Sequence, residues 1–312
     1  MENLIFSFNV ILPIFSLMLM GTFLRKVKLL DKEFLEKAND FAFKVLLPIL
    51  LFNNIYKSHI SEVINIKFIL FAVLINFVIV GILFIIVPKL VKENRDRSII
   101  IQGLYRTNFV LFGVPLSSNI FGTSSLGTVT TLTAIIIPLY NFFAVFILDW
   151  YSCDKSDYKK TIVSVIKNPL IIGSCMGIIF SLLNIKIPQF AEKTISDIAA
   201  TATPIALIIL GGDIEIKNLG KNMKLLFQVA VGKLLIVPAI VIISAVMFGF
   251  RGVELGALFS MAAPSVSVSS YTMALQYECN SELAGQLVFI TTLFSPITIF
   301  MFIFVLKSVG LF

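Results

Sequence analysis

The chain has 312 residues, of which 58% are apolar and 14% charged, and it carries a net charge of +7; an ordinary soluble domain has about 45–50% apolar and about 25% charged residues. That balance excludes a water-soluble globular enzyme. A nucleotide-driven pump in this chain alone is excluded as well, because no loop is long enough to be a separate domain and no GxxxxGK[ST] phosphate loop occurs.

Taken in chain order, the apolar stretches number ten. Residues 4–24, 68–87, 126–148, 168–185, 255–277 and 283–306 are uncharged and reach the length of about 18 or more residues that reads as a membrane span. Between them lie four stretches with charges inside: 34–56 with Asp40 and Lys44, 98–120 with Arg106, 190–212 with Asp197, and 224–248 with Lys233. The expected fold is therefore an all-α polytopic membrane protein with ten transmembrane helices. The first stretch follows Met1-Glu2-Asn3 with no basic n-region and no small-residue cleavage site, so it is expected to be retained as a span.

The basic residues sit in the connections. If the N-terminus is outside, the odd-numbered loops hold 16 of them, from Arg25 to Lys224, and the opposite side holds Lys57, Lys67, Lys186, Lys193, Arg251 and Lys307. The positive-inside rule then places both termini outside the cytoplasm, in a multi-pass cell-membrane protein. This distribution also removes a nucleic-acid reading of the net charge. Cys153, Cys175 and Cys279 are scattered, and His59 is the lone histidine, in an outer loop. Neither a disulfide framework nor a metal site follows from them, and no cofactor is expected.

An internal repeat organises the ten spans. At an offset of 156, Pro13 falls on Pro169, Gly21 on Gly177 and Pro48 on Pro204; at 158, Gly127 falls on Gly285, Thr133 on Thr291 and Pro138 on Pro296; at 149, Gly103 falls on Gly252 and Pro115 on Pro264. Residues 1–150 and 151–312 are thus expected to be two five-helix units. Five is odd, so the second copy enters the membrane from the other side, which makes a 5+5 inverted repeat of the kind many secondary transporters use.

Spans 4 and 9 contain Gly113-Val-Pro115 and Ala263-Pro264-Ser265 near their middles. Proline removes a backbone donor and clashes with the carbonyl four residues back, Leu111 in the first case, so both helices are expected to break, and to cross. Freed backbone groups at membrane depth are tolerated only against protein or a wet cavity. Paired breaks in corresponding places of two halves point to a transport site, where each second half-helix presents about +0.5 charge to an anion. The expected substrate-binding set is Asn108, Gly113, Pro115, Ser117, Asn141, Pro264, Ser265 and Ser267. Of the intramembrane charges, Asp40 and Lys44 lie four apart on one helix face and can pair. Arg106 and Lys233 would lie about 12–14 Å deep at 1.5 Å rise per residue, and either draw anions into an inward cavity or snorkel to the interface. Asp213 reads as an interfacial charge, and Gly173-x-x-x-Gly177 and Gly252-x-x-x-Gly256 as close packing contacts.

The joint pattern Asn108-x4-Gly113-x-Pro115, Pro48-Ile-Leu-Leu-Phe52, Ala202-Thr-Pro204-Ile-Ala-Leu, Lys233-Leu-Leu-Ile-Val-Pro238 and Met273-Ala-Leu-Gln-Tyr-Glu-Cys-Asn280 resembles the auxin efflux carrier family, which includes bacterial malate and malonate permease-like proteins. The resemblance implies a scaffold of helices 1, 2, 6 and 7, a mobile part of helices 3–5 and 8–10 carrying the crossing, organic-anion substrates and a homodimer in the lipid bilayer. Two features depart from it: the long cytoplasmic loop of the plant members shrinks to about residues 150–161, and the third span has no acid or base.

The function expected is alternating-access transport of small carboxylates, with efflux favoured, because an interior-negative potential drives an unaccompanied monoanion outward by about 2.3 kcal/mol per 100 mV. The alternative is a proton- or sodium-coupled symporter or a cation exchanger of the same architecture, which wants buried carboxylates beside the break; spans 3, 4, 5, 9 and 10 offer none. No HExxH or Ser/His constellation supports an intramembrane enzyme.

Overall fold

The computed structural model describes residues 13, 16–57, 65–152, 163, 166–213 and 223–312. Much of the first span, His59, Cys153 and most of the 150–161 loop lie outside the described residues.

The described residues are helical almost throughout. Helix α1 covers residues 16–26. Helix α2 (Lys32–Phe41) starts at Asp31, whose carboxylate accepts the Phe34 amide at 2.7 Å, and passes through a π-turn (Ala42–Leu46) into α3 (Leu47–Tyr56). Then come α4 (Ile66–Leu90), α5 (Asn94–Tyr105), a π-turn (Phe109–Gly113), α6 (Val114–Phe121) and α7 (Leu126–Ser152). The second half runs through α8 (Pro169–Leu182), α9 (Gln189–Asp213), α10 (Met223–Val231), a third π-turn (Gly232–Ile236), α11 (Val237–Met247), α12 (Gly252–Ala262), α13 (Ser269–Gln276) and α14 (Ser281–Ser308). Asparagines open three of these helices: Asn65, Asn168 and Asn280 accept the amides of Phe68, Leu170 and Leu283, satisfying donors that the first turn leaves free.

Five helical rods among the described residues are long and apolar enough to cross a bilayer: Ile66–Leu90, Gly127–Tyr151, Gln189–Asp213, Met223–Met247 and Ser281–Ser308. Along α4 the residues Leu70, Leu74, Phe77, Val78 and Ile85 are about half or more exposed, an apolar outer face suited to lipid.

Each π-turn ends two residues before a proline: Leu46 before Pro48, Gly113 before Pro115, Ile236 before Pro238. A proline in mid-helix leaves the carbonyl four residues back without its donor, and the wider turn absorbs the mismatch without ending the rod.

Small residues set the closest helix contacts. A methyl on Gly211 would sit 1.9 Å from the Met18 carbonyl oxygen, and one on Gly21 would sit 2.0 Å from that of Ile208. Helices α1 and α9 therefore touch backbone to backbone, tied further by the Thr22 hydroxyl donating to the Gly211 carbonyl at 2.7 Å. Gly173 and Gly177 meet Pro48 and Ile55 in the same way, joining α8 to α3. The second glycine pair behaves differently. Gly256 packs on the Phe121 ring, but Gly252 has nothing within 4 Å and φ of +54° at the start of α12; its absence of a side chain serves backbone conformation there.

Candidate functional site

The two interruptions meet. Thr107 and Val266 form an isolated antiparallel bridge, and the Asn108 amide donates to the Ser265 carbonyl at 2.9 Å. Around this contact the Thr107 hydroxyl donates to the Met261 carbonyl at 2.6 Å, and the Val266 amide donates to the Thr291 hydroxyl at 3.1 Å. Backbone groups that a helix would have paired internally are thus paired across the break, as burial requires.

The first break falls upstream of its proline. Arg106, Thr107 and Asn108 are the non-helical residues, while Pro115 lies in the first turn of α6. In the second break Pro264 is itself in the non-helical link between α12 and α13.

A cavity of about 90 Å³ opens beside the meeting point. Its walls come from α3 (Leu47 to Asn54), the 106–110 stretch, α7 (Ile137, Tyr140, Asn141), Leu170 of α8, Thr203 and Ala206 of α9, and residues 267–269. Its size is below the cavity of about 150 Å³ that admits benzene, so a ligand of few heavy atoms suits this state. Both second half-helices begin on it, at Phe109 and Val110 and at Ser267 to Ser269.

Arg106 dominates its polar wall. Its side chain is 4% exposed, and the guanidinium donates to Asn141 Oδ1 at 2.6 Å, to Ser269 Oγ at 2.9 Å and to Gln102 Oε1 at 3.2 Å, beside the Met273 thioether. It forms no ion pair among the described residues. Because Asn141 spends its oxygen on Arg106, its Nδ2 is the end without a partner, and Nδ2 of Asn54, another wall residue, has none either. No Asp, Glu or His lines the cavity. Its unspent polar capacity is donor-rich and its charge positive, an arrangement that binds anions.

Of the sequence-expected residues, Asn108, Asn141 and Ser267 line this cavity together with Arg106. Gly113, Pro115, Ser117, Pro264 and Ser265 do not. Gly113 packs against the Ser260 carbonyl, and Ser117 and Ser265 are buried with their hydroxyls unpaired. Asp40 and Lys44 pair at 2.5 Å and lie half exposed on the outer side of α2 and its π-turn, away from the cavity. Lys233 is fully buried and Arg106 nearly so, so neither snorkels to an interface: both turn inward to partners on distant helices. Asp213 accepts the Tyr271 hydroxyl at 2.7 Å and faces Arg25 at 3.9 Å, linking α9 to α13, a partnership with no signal in sequence because 58 residues separate the two.

An all-helical protein with bilayer-length apolar rods, whose interrupted helices meet at a buried, positively charged cavity, is built as a membrane transporter. The comparisons agree. Residues 6–149 and 155–303 match the family described as membrane transport protein, and the chain belongs to it; the resemblance to the auxin efflux carrier family is thereby borne out. The chain is also 23% identical, over 93% of its own length and 96% of the other's, to an uncharacterized transporter of Methanocaldococcus jannaschii. It is a multi-pass membrane transporter and not an enzyme.

Proposed function

We propose that this protein carries small organic anions, carboxylates of a few carbon atoms, by alternating access, with Arg106 as the principal ligand of the carboxylate. The observation that carries the reading is the Arg106 guanidinium, buried on the cavity wall with no acidic partner among the described residues. Burying an ion costs several kcal/mol unless a counter-charge meets it, and a bound carboxylate supplies that counter-charge in bidentate geometry. The unpaired amides of Asn54 and Asn141 and the starts of the two second half-helices add donors to the same cavity.

In this reading ten spans form a 5+5 inverted repeat, residues 1–150 and 151–312, with both termini outside a cell membrane and spans 4 and 9 crossing near its midplane. Spans 1, 2, 6 and 7 act as scaffold, supported by the backbone contacts of α1 with α9 and α3 with α8. Spans 3–5 and 8–10 move against it, and the Tyr271–Asp213 bond is one of the contacts that must break. Two copies associate as a homodimer. The cavity wall holds no carboxylate to seat a coupling proton or sodium ion, so a monoanion moves alone and outward, driven by about 2.3 kcal/mol per 100 mV.

Reconstituted protein in proteoliposomes, offered a panel of mono- and dicarboxylates under potassium-diffusion potentials of either sign, tests this. Flux that reverses with the potential is expected. Flux that ignores the potential and follows a pH or sodium gradient refutes the uncoupled mechanism, and indifference to every carboxylate refutes the substrate class.

A further inference from the structure

We propose that Lys233 is a tethered cation, seated at the negative end of a broken helix where a coupled carrier would bind sodium from solution. The proposal rests on the anion-carrier reading above and deepens it by naming what replaces the coupling ion.

Lys233 lies in the π-turn Gly232–Ile236, with no exposed surface. Its Nζ points at the carbonyl of Ala262, 3.5 Å away, and Ala262 is the last residue of α12. It forms no ion pair among the described residues, and it is not part of the cavity wall that Arg106 dominates. This second buried cation is therefore unused by the substrate site.

The C-terminal end of a helix carries about −0.5 charge on carbonyls that have no amide partner. When that end is buried at a break, the charge needs a counterpart, and broken-helix carriers use such ends, with the unwound carbonyls beside them, to hold sodium or a proton. At the end of α12 the two successive carbonyls are already met: Met261 by the Thr107 hydroxyl at 2.6 Å and Ala262 by the Lys233 ammonium. An apolar side chain of similar length would fill the same space without the cost of burying an ammonium, several kcal/mol per ion. A lysine nine residues into a span also has the reach to snorkel, yet it turns inward. Facing the helix end accounts for both facts, and a covalently held cation leaves no vacancy for a free one.

Thermal stability of purified protein in sodium chloride against choline chloride reads the seat directly, with no substrate present. The wild type is expected to melt at one temperature in both salts, and Lys233→Arg likewise. Lys233→Gln vacates the seat, and its melting temperature is expected to rise by a few degrees in sodium relative to choline, with part of its lost flux restored by sodium. Sodium-dependent stability or flux in the wild type overturns the proposal, and so does a Lys233→Gln protein whose stability ignores sodium, whatever its flux. Should Lys233→Gln not fold, the wild type and Lys233→Arg still decide: a sodium response in either overturns it, and its absence in both, with transport retained, is the expected result. Because the melting measurement needs no carboxylate, failure of the substrate reading shows up separately, as absent flux with an intact salt pattern.

Discussion

Replacing Arg106 by methionine separates a ligand role from a structural one. The methionine keeps most of the length and apolar volume and removes every donor. In the ligand-free protein the change removes hydrogen bonds to Asn141 Oδ1, Ser269 Oγ and Gln102 Oε1, at about 1.5–3 kcal/mol each because the donor is charged. Ser269 keeps its 2.8 Å bond with Ser267, so two amide oxygens are left bare. Against this stands relief of an unpaired buried charge, several kcal/mol. The two effects are of similar size and opposite sign, and the melting temperature is expected to stay near that of the wild type. Carboxylate affinity behaves otherwise. A hydrogen bond from a charged group contributes about 1.5–3 kcal/mol, and at 1.4 kcal/mol per decade the Kd weakens by about 10- to 150-fold. Arg106→Lys should fall between, since it keeps the charge and loses the planar fork. Calorimetric titration and thermal melts on the same purified samples give both numbers. A melting temperature several degrees lower with unchanged affinity would refute the reasoning and make Arg106 a structural cation.

Three further substitutions test other parts of the design. Gly211→Ala puts a methyl 1.9 Å from the Met18 carbonyl oxygen, so α1 and α9 must separate at a cost of about 1–3 kcal/mol or more; Gly81→Ala, with nothing within 4 Å, should be neutral or gain up to about 1 kcal/mol of helix propensity, and equal melting of the two proteins would sink the backbone-contact argument. Tyr271→Phe removes the 2.7 Å bond to Asp213, which at about 1.5–3 kcal/mol shifts the balance of carrier states by tenfold or more; faster labelling of a cysteine placed at Ser267 is the expected readout, and an unchanged rate counts against the latch. Asn108→Ala should weaken carboxylate binding about tenfold or more, the loss of one hydrogen bond to a charged group, while Ser265→Ala, whose hydroxyl has no partner, should leave binding and stability unchanged because the bridge uses the Ser265 carbonyl.

The long rods were legible in the sequence because hydropathy over about 20 residues is set by the bilayer itself, and the intramembrane charges stood out because membrane spans so seldom carry them. Their surroundings were not legible. The partners of Arg106 lie 35 and 163 residues away at Asn141 and Ser269, and nothing in local spacing indicates that α7 and α13 bring them together. Whether Arg106 and Lys233 snorkel or turn inward is likewise decided by packing against distant helices, and both orientations fit the same local sequence.

The position of the break within span 4, upstream of its proline, has a more specific cause. A proline tells where a carbonyl loses its donor, four residues upstream, and the simplest inference puts the helix break at that point. Here the π-turn Phe109–Gly113 accommodates the loss, carrying the helical path back through it, so the extended residues fall at 106–108, seven to nine positions before Pro115. There the Asn108 amide finds its acceptor on Ser265, in the other half of the chain. Gly113 consequently packs against the Ser260 carbonyl of α12, and Ser117 is buried away from the cavity. Span 9 has no π-turn before Pro264, its proline stays in the link, and Ser267, three residues on, does line the cavity. The two breaks are alike in sequence and unlike in backbone, and the difference leaves room in the first, upstream of its proline, for the arginine that gives the cavity its charge.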